Sequence, residues 1–548
     1  MKRFVTLFIV FTAMAVSSAC AQQINEMLMR KVQSAEFFIS HFYVDSLSED
    51  KVVDDAIVGM LKQLDPHSTY IKAKDVERST ENLNGSFEGI GVQFNIIDDT
   101  LVVIQPVSGG PSEKKGIIAG DRIVTVNDTA IAGVKMAREE MIRRLRGPKG
   151  SKVSLGIVRQ GVKGVNRFVV VRDKIPVHTL DASYMMDART GYIRLSSFGQ
   201  TTHQEFLDAA HRLFEQGMVD LVLDLQGNGG GYLSAAVDIS NEFLEQGDLI
   251  VYTDGRSIRR QEFRADGNGS FRTGRVMVLV DSYTASAAEI VSGAIQDNDR
   301  GVIIGRRTFG KGLVQRPFEL PDKSVIRLTT SHYYSPSGRC IQKPYKLGQR
   351  KDYDDDINER LKSGELQAQL KGLIDHFSQS TAAPDSSAFD SIQLKLASQL
   401  FPDSLRFRTL RTHRSVYAGG GIMPDVYVPL DTARYTPLYR QLSAKSCILN
   451  ASLKYMDKNR KRLTARYKQF VQFRDEFAVP QELIDMLRHE ADVAHVEYTD
   501  STWQAALPDA AAQLKGLLAR DLWDMSEYYQ MINPTTDIYQ EALRQIVE

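Results

Sequence analysis

Ser286 stands in the run VMVLVDSYTASAAEIVSGAIQD, just after a continuous apolar segment and at the start of a segment with helical character. Its neighbours Ala285 and Ala287 are small and leave the hydroxyl accessible. The N–H groups of a helix start can stabilise negative charge developing beside them, so such a serine is a candidate nucleophile. In isolation, a serine at a helix start is ordinarily an N-cap. Lys311 follows 25 positions later in TFGKGLVQRPFEL. A lysine is a base only when neutral, which demands burial among apolar groups; a solvated lysine at a turn is the ordinary reading. The stretch after Gly310 alternates like a strand, which would place Lys311, Leu313 and Gln315 on one face.

Other chemistries compete for these segments. Gly305-Arg306-Arg307-Thr308-Phe309-Gly310-Lys311-Gly312 nearly fits the phosphate-binding pattern G-x-x-x-x-G-K-[ST]. It lacks the final hydroxyl, and such a loop should open a helix, whereas GLVQRPFEL reads as a strand. Gly227-Asn228-Gly229-Gly230-Gly231 also lies between a strand and a helix, but carries no suitable Lys-Ser/Thr pair. Nucleotide binding is disfavoured. The ten histidines show no close metal-ligand spacing, and Cys20, Cys340 and Cys447 cannot make a Cys-rich zinc site. No metal or other cofactor is expected. The acidic cluster Asp352–Asp356 reads as a solvated face in preference to a calcium site.

The elements that must position Ser286 and Lys311 come from a change of pattern after about Pro176. GYIRLSSF (191–198), LVLDL (221–225), VMVLVD (276–281) and GVIIG read as strands. The segments 202–217, YLSAAVDISNEFLEQG and TASAAEIVSGAIQD read as helices. This predicts an α/β core with a mixed sheet and crossover helices, whose sites gather where strand C-termini meet helix N-termini. Upstream, 22–84 has helical periodicity. Residues 85–175 hold several short strands, with a hairpin across Asp98-Asp99-Thr100 and one main helix near Lys135–Leu145. After Pro437 the apolar spacing is helical to Glu548, a tail that could dock on the core, contact another copy or present substrate.

A chain of 548 residues needs several domains. Its 68 Lys+Arg balance 68 Asp+Glu, which removes the electrostatic footprint of a nucleic-acid binder. Residues 1–21 read as a secretory signal peptide: Lys2 and Arg3, an apolar run from Phe4 to Val16, then Ala19-Cys20-Ala21. The expectation is an exported protein of the periplasm or cell envelope. Lipid attachment at Cys20 is the alternative, with Ser17 where lipobox-type sequences carry Leu.

From Gly85 to Gln342 the chain resembles the carboxyl-terminal processing peptidases, or tail-specific proteases. GSFEGIGVQF, GIIAGDRI, LRGPKGSKVSL, GYIRLSSF, LVLDLQGNGGG, SYTASAAEIVSGAIQD, GRRTFGKGLVQ and YYSPSGRCIQ carry the resemblance, in that order. It implies a PDZ domain over 85–175 with Gly89, Ile90, Gly91 and Val92 as its carboxylate-binding loop. It implies a serine endopeptidase core over 176–342 and 419–431, interrupted by a polar insertion at 343–418 and followed by a helical region at 432–548. Ser286 would be the nucleophile, Lys311 the base and Gln315 the orienting partner. The oxyanion hole would use backbone N–H groups of Ala287 and of Gly229 or Gly230. Substrates would be proteins with exposed C-terminal tails; adaptor proteins and a homo-oligomer are compatible partners. In one departure, Gln226 stands where family members commonly carry Arg in DLRxNxGG, which puts the support of the glycine turn in question. The competing class is a proteolytically silent PDZ scaffold, disfavoured because Ser286, Lys311 and Gln315 occur together.

Overall fold

The computed structural model describes residues 26–81, 83–107, 109–362, 402–430 and 436–547. The signal-peptide segment 1–21, Cys20 and the middle of the insertion lie outside the described residues. The chain divides into two units, the smaller made of residues up to Val76, Gln315–Thr329 and Tyr345–Asp354.

In the smaller unit, helices span 26–42 and Glu49–Leu61. The turn after them is built on Asp65. Its carboxylate accepts the N–H groups of His67 (2.9 Å) and Ser68 (3.1 Å) and the hydroxyls of Ser68 (2.5 Å) and Thr329 (2.8 Å). Burial alone would raise this carboxyl, but the four donors hold it below its usual range. Strand Thr69–Ile71 then pairs antiparallel with Val325–Arg327. The helical reading of 22–84 misses this strand, because three residues are too few for an alternating pattern to register.

The larger unit begins with a five-strand path, Val92–Ile97, Thr100–Pro106, Arg122–Val126, Lys152–Val158 and Asn166–Val171, closed over Leu101, Ile123, Met141 and Leu155. Ser86–Gly89 pairs antiparallel with Asp173–Pro176, so the chain enters and leaves this domain side by side. The hairpin falls where the sequence puts it. Asp98 and Asp99 take φ of 47° and 55°, which suits a tight two-residue hairpin turn. The helix is shorter than expected, Arg138–Leu145, because Lys135 has φ 51° and breaks the helical path ahead of it.

The core of the larger unit is a six-stranded sheet. Its elements are β1 (Leu180–Met185), β2 (Thr190–Leu195), α1 (Thr202–Glu215), β3 (Asp220–Asp224), α2 (Leu233–Asn241), β4 (Val276–Val280), α3 (Ala287–Asp297), β5 (Val302–Gly305), α4 (Asp356–Lys362) and β6 (Val426–Tyr427). The strands lie in sequence order; β1 and β2 are antiparallel and each later pair is parallel. One face packs Ile193, Leu223 and Val278 against Phe206, Ile239 and Val291 of the crossover helices. The other packs Tyr192, Val222 and Leu279 against Ile538 and Ala542 of the last helix, Asp537–Val547. Burial on both faces is why these strands read as continuous apolar runs. It also fixes the fate of the tail's end, which docks on the sheet. The preceding helices form their own bundle around Tyr455, Phe473, Leu487 and Trp503.

Two features go beyond the sequence reading. Helix α2 stops at Asn241, short of the predicted span. Strand Leu249–Asp254 pairs antiparallel with Gln261–Arg264 on one side and with His332–Tyr334 on the other. Among the described residues, no helix is long and apolar enough to cross a membrane.

Candidate active site

Three loops meet at the C-terminal ends of the parallel strands: 225–231 after β3, 281–286 after β4, and 306–312 after β5. Asp281 caps its own turn by accepting the N–H groups of Tyr283 (2.9 Å) and Thr284 (3.0 Å), and it also accepts that of Gly227 (3.0 Å). The Thr284 hydroxyl donates to the Leu225 carbonyl (2.8 Å), and the Ala285 N–H to the Asn228 carbonyl (2.9 Å). Phe309 N–H reaches the Thr284 carbonyl (2.9 Å), which joins the third loop to the second. Most backbone polar groups of these irregular segments thus find protein partners, as burial requires.

Ser286 is the residue before α3, with φ 58° and ψ −116°. A non-glycine residue in that region costs on the order of 1–3 kcal/mol and persists only where its surroundings impose it. Here Glu289, one turn into α3 and 1% exposed, accepts the Ser286 N–H on Oε2 (2.8 Å). The same oxygen accepts the Lys311 N–H (2.9 Å). Oε1 accepts the Gly310 N–H (2.8 Å) and the Thr308 hydroxyl (2.5 Å). Burial pushes the Glu289 carboxyl above its usual range, and the four donors oppose that shift. The acceptor-only, ionised form can take all four at once. Tyr333 adds a second tie: its hydroxyl lies 3.0 Å from the Ser286 carbonyl and 2.6 Å from that of Lys311, with one proton to donate to either.

The glycine turn lies against the nucleophile candidate. A Cβ on Gly230 would fall 2.7 Å from both the Ala285 oxygen and Ser286 Cβ, and 2.9 Å from the Ala287 nitrogen, so only glycine fits. The Gly230 N–H itself is donated to Asn228 Oδ1 (2.8 Å). Ala287 occupies the first position of α3, where backbone N–H groups have no acceptor within the helix. The support left in question by Gln226 comes from the neighbouring strand. Arg194 on β2 donates to Asp224 Oδ2 (2.5 Å) and to the Gln226 carbonyl (2.7 Å), and Asp224 Oδ1 accepts the Gln226 N–H (2.8 Å).

Lys311 is half-buried and lies outside any regular element; the strand begins only at Leu313 and runs to Glu319. The expectation that Lys311 alternates with Leu313 and Gln315 on one strand face is therefore corrected: Gly312 packs against Gln342, whose Oε1 accepts the Gly312 N–H (2.8 Å), and the regular strand starts after this contact. Because a strand and no helix follows Lys311, the near-match to a phosphate loop lapses. Gln315 belongs to the smaller unit, where its side-chain amide donates to the His67 carbonyl.

In the strand-rich domain, Gly91 has φ 70°, and a Cβ there would meet Ile175 Cδ1 at 2.9 Å. The Ile90 carbonyl accepts the Ser112 hydroxyl (2.6 Å), and the Gly91 carbonyl accepts the Val107 N–H (3.0 Å). Val92 opens Val92–Ile97, the end strand of its sheet path, with the Arg138 guanidinium 5.4 Å from the Phe94 ring centroid.

Sequence reading missed Glu289, Tyr333 and Arg194. Glu289 had a signal, since Ser-x-x-Glu at a helix start is the pattern of reciprocal capping. Tyr333 and Arg194 had none, because their partners lie 22 to 47 positions away in sequence.

The site and fold are those of a serine-type peptidase joined to a PDZ domain. A model described as peptidase family S41 matches residues 189–354, and a PDZ-domain model matches 89–165. The activating protease CtpB N-terminal domain matches 12–75, and a family of unknown function matches 438–524. The carboxy-terminal processing protease CtpA of Bacillus subtilis is 35% identical over 350 residues, 62% of this chain and 74% of the relative. The carboxy-terminal-processing protease of Bartonella bacilliformis is 33% identical over 375 residues, 65% of this chain and 84% of the relative. The chain belongs to the carboxy-terminal processing protease family.

Proposed function

We propose that this protein is an exported endopeptidase that binds exposed C-terminal tails through its PDZ domain and cleaves them by a Ser–Lys acyl-enzyme mechanism. Neutral Lys311 Nζ takes the Ser286 hydroxyl proton as Oγ bonds to the scissile carbonyl carbon. The oxyanion is met by the Ala287 N–H and a glycine-turn N–H; Gly230 must release Asn228 to serve, whereas Gly229 need not. Collapse breaks the C–N bond, and the Lys311 ammonium protonates the departing amine. Water then attacks the ester, giving a proton back to Lys311, and Ser286 leaves with that proton. Gln315 is assigned the orienting role by resemblance.

The observation that carries this reading is the shared Glu289 oxygen, which fixes the backbones of Ser286 and Lys311 together. On the binding side, an end strand can pair with an extended peptide while the Gly89–Val92 loop takes its terminal carboxylate. Export rests on the basic, apolar and small-residue order of residues 1–21.

The test is cleavage of an unstructured protein by wild type, Ser286→Ala and Lys311→Ala. Loss of turnover in both variants, with tail-peptide binding retained, is expected. Equal turnover by wild type and Ser286→Ala would leave a PDZ scaffold on a peptidase fold as the better description of the site.

A further inference from the structure

Glu289 takes the donors of the Lys311 loop, but the loop also has acceptors. The carbonyls of Arg307, Thr308 and Phe309, three in succession ahead of Gly310, need partners because the segment is irregular and largely buried. All three accept from one side chain. Arg360 Nη1 donates to the Thr308 carbonyl (2.9 Å) and the Arg307 carbonyl (3.3 Å), and Nη2 to that of Phe309 (3.2 Å).

Arg360 is 2% exposed and stands on α4, within the segment that interrupts the family pattern. Its Nε is ion-paired with Asp356 Oδ2 (2.9 Å), which also pairs with Lys343 Nζ (3.2 Å). Lys343 Nζ sits 3.9 Å from the Phe309 ring centroid, and its backbone N–H donates to the Gly310 carbonyl (2.9 Å). Asp356 is therefore no member of a solvated acidic face. It aligns two buried cations behind the loop.

We propose that Arg360 is a positioning residue for Lys311, setting the loop from the carbonyl side as Glu289 sets it from the amide side. The segment 343–418 thereby supplies part of the support on which catalysis depends. A planar guanidinium reaches three carbonyls at once; an ammonium at the same place is a single point charge with a different reach. This inference rests on the Ser–Lys reading of the site.

The test measures kcat and KM on unfolded casein, with thermal unfolding, for full-length wild type, Arg360→Ala, Arg360→Lys, Ser286→Ala and the exposed α4 control Asn358→Ala. A misplaced base should lower kcat roughly 100-fold in Arg360→Ala. KM should stay within about twofold, since substrate contacts are intact. Arg360→Lys should recover part of the loss, and Asn358→Ala should match wild type. A folded Arg360→Ala with wild-type kcat, or with a change confined to KM, overturns the proposal. If Arg360→Ala fails to fold, Arg360→Lys decides: folded with reduced kcat supports it, whereas wild-type kcat or failure of both to fold overturns it. Wild-type turnover by Ser286→Ala would instead sink the dyad on which the proposal rests, an outcome distinct from any Arg360 result.

Discussion

Ser286 and Lys311 are tied to the same carboxylate oxygen, Oε2 of Glu289, at 2.8 and 2.9 Å. Two residues 25 apart in sequence, on loops after different strands, therefore share one buried anchor. The tie acts on the backbone N–H groups of both residues.

Glu289→Gln is the sharpest probe of this anchor. An amide presents one oxygen and one NH2, so the backbone N–H of Gly310, or those of Ser286 and Lys311, would face another donor. Each buried donor left without an acceptor costs about 1–3 kcal/mol. The expected result is a folded protein with a lowered melting temperature and kcat reduced roughly 100-fold at near-constant KM. A variant with wild-type kcat would show that the shared oxygen does not set the reacting geometry.

Tyr333→Phe tests the second tie in milder form. It deletes one hydroxyl next to the Ser286 and Lys311 carbonyls and leaves the ring in place. A single neutral hydrogen bond is worth about 0.5–1.5 kcal/mol. Stability should fall by that amount, and kcat by about threefold to tenfold on the same scale. Steady-state kinetics and chemical denaturation separate the two effects.

Much of the larger unit was legible because its strands are buried on both faces and its helices on one, so Val276–Val280 and Thr202–Glu215 follow their patterns closely. The positions of Ser286 and the glycine turn were legible for the same reason. What escaped was set by contacts remote in sequence. Lys311 looked like a strand residue until the contact of Gly312 with Gln342 delayed the strand to Leu313. The charge run Asp352–Asp356 looked solvated, and only the fold brings Lys343 and Arg360 to Asp356. Composition carries no trace of such pairings.

Arg194 shows how a departure from a family pattern can be absorbed. Its guanidinium serves both Asp224, fully buried, and the Gln226 carbonyl, and lies 4.6 Å from the Tyr529 ring centroid. Arg194→Ala leaves Asp224 as an uncompensated buried charge, a change that typically costs about 3–5 kcal/mol. Adding Asp224→Asn should recover part of that stability while leaving kcat low, because the Gln226 carbonyl still lacks its donor. Full recovery of kcat in the double variant would remove Arg194 from the support of the turn.

The PDZ loop makes a separable prediction. Gly91→Val forces a side chain into Ile175 at a backbone conformation that suits glycine. In the Ser286→Ala background, a peptide with a free C-terminal carboxylate should bind the wild-type loop at least tenfold more tightly than its amidated form, a difference of about 1.4 kcal/mol. Gly91→Val should erase that difference. Equal binding of both peptides to the wild-type loop would place tail recognition elsewhere.

Away from the site, a histidine–carboxylate pair between α1 and the end of α2 gives the fold a pH signature. His203 Nε2 lies 2.7 Å from Glu242 Oε1, and the other Glu242 oxygen accepts the Ser270 N–H and hydroxyl, both at 2.7 Å. The hydrogen bond to Glu242 holds His203 above 6.5, helped by the nearby Asp238 charge and opposed by burial. Burial would raise Glu242, but His203 and Ser270 hold it below 4.5. The sign follows from which state binds more protons. Because the folded value of His203 is raised, its contribution is complete below pH 6.5 and is lost as pH climbs through the folded pKa. Because the folded value of Glu242 is depressed, its contribution is complete above pH 4.5 and is lost on acidification through the folded value. The pair is at full strength between those limits. His203 is partly exposed, so the effect is less than about 1 kcal/mol. Denaturation series at pH 5.5 and pH 8.5 should show wild type losing more stability than His203→Gln over that interval; identical slopes would mean that the pair does not couple folding to protonation.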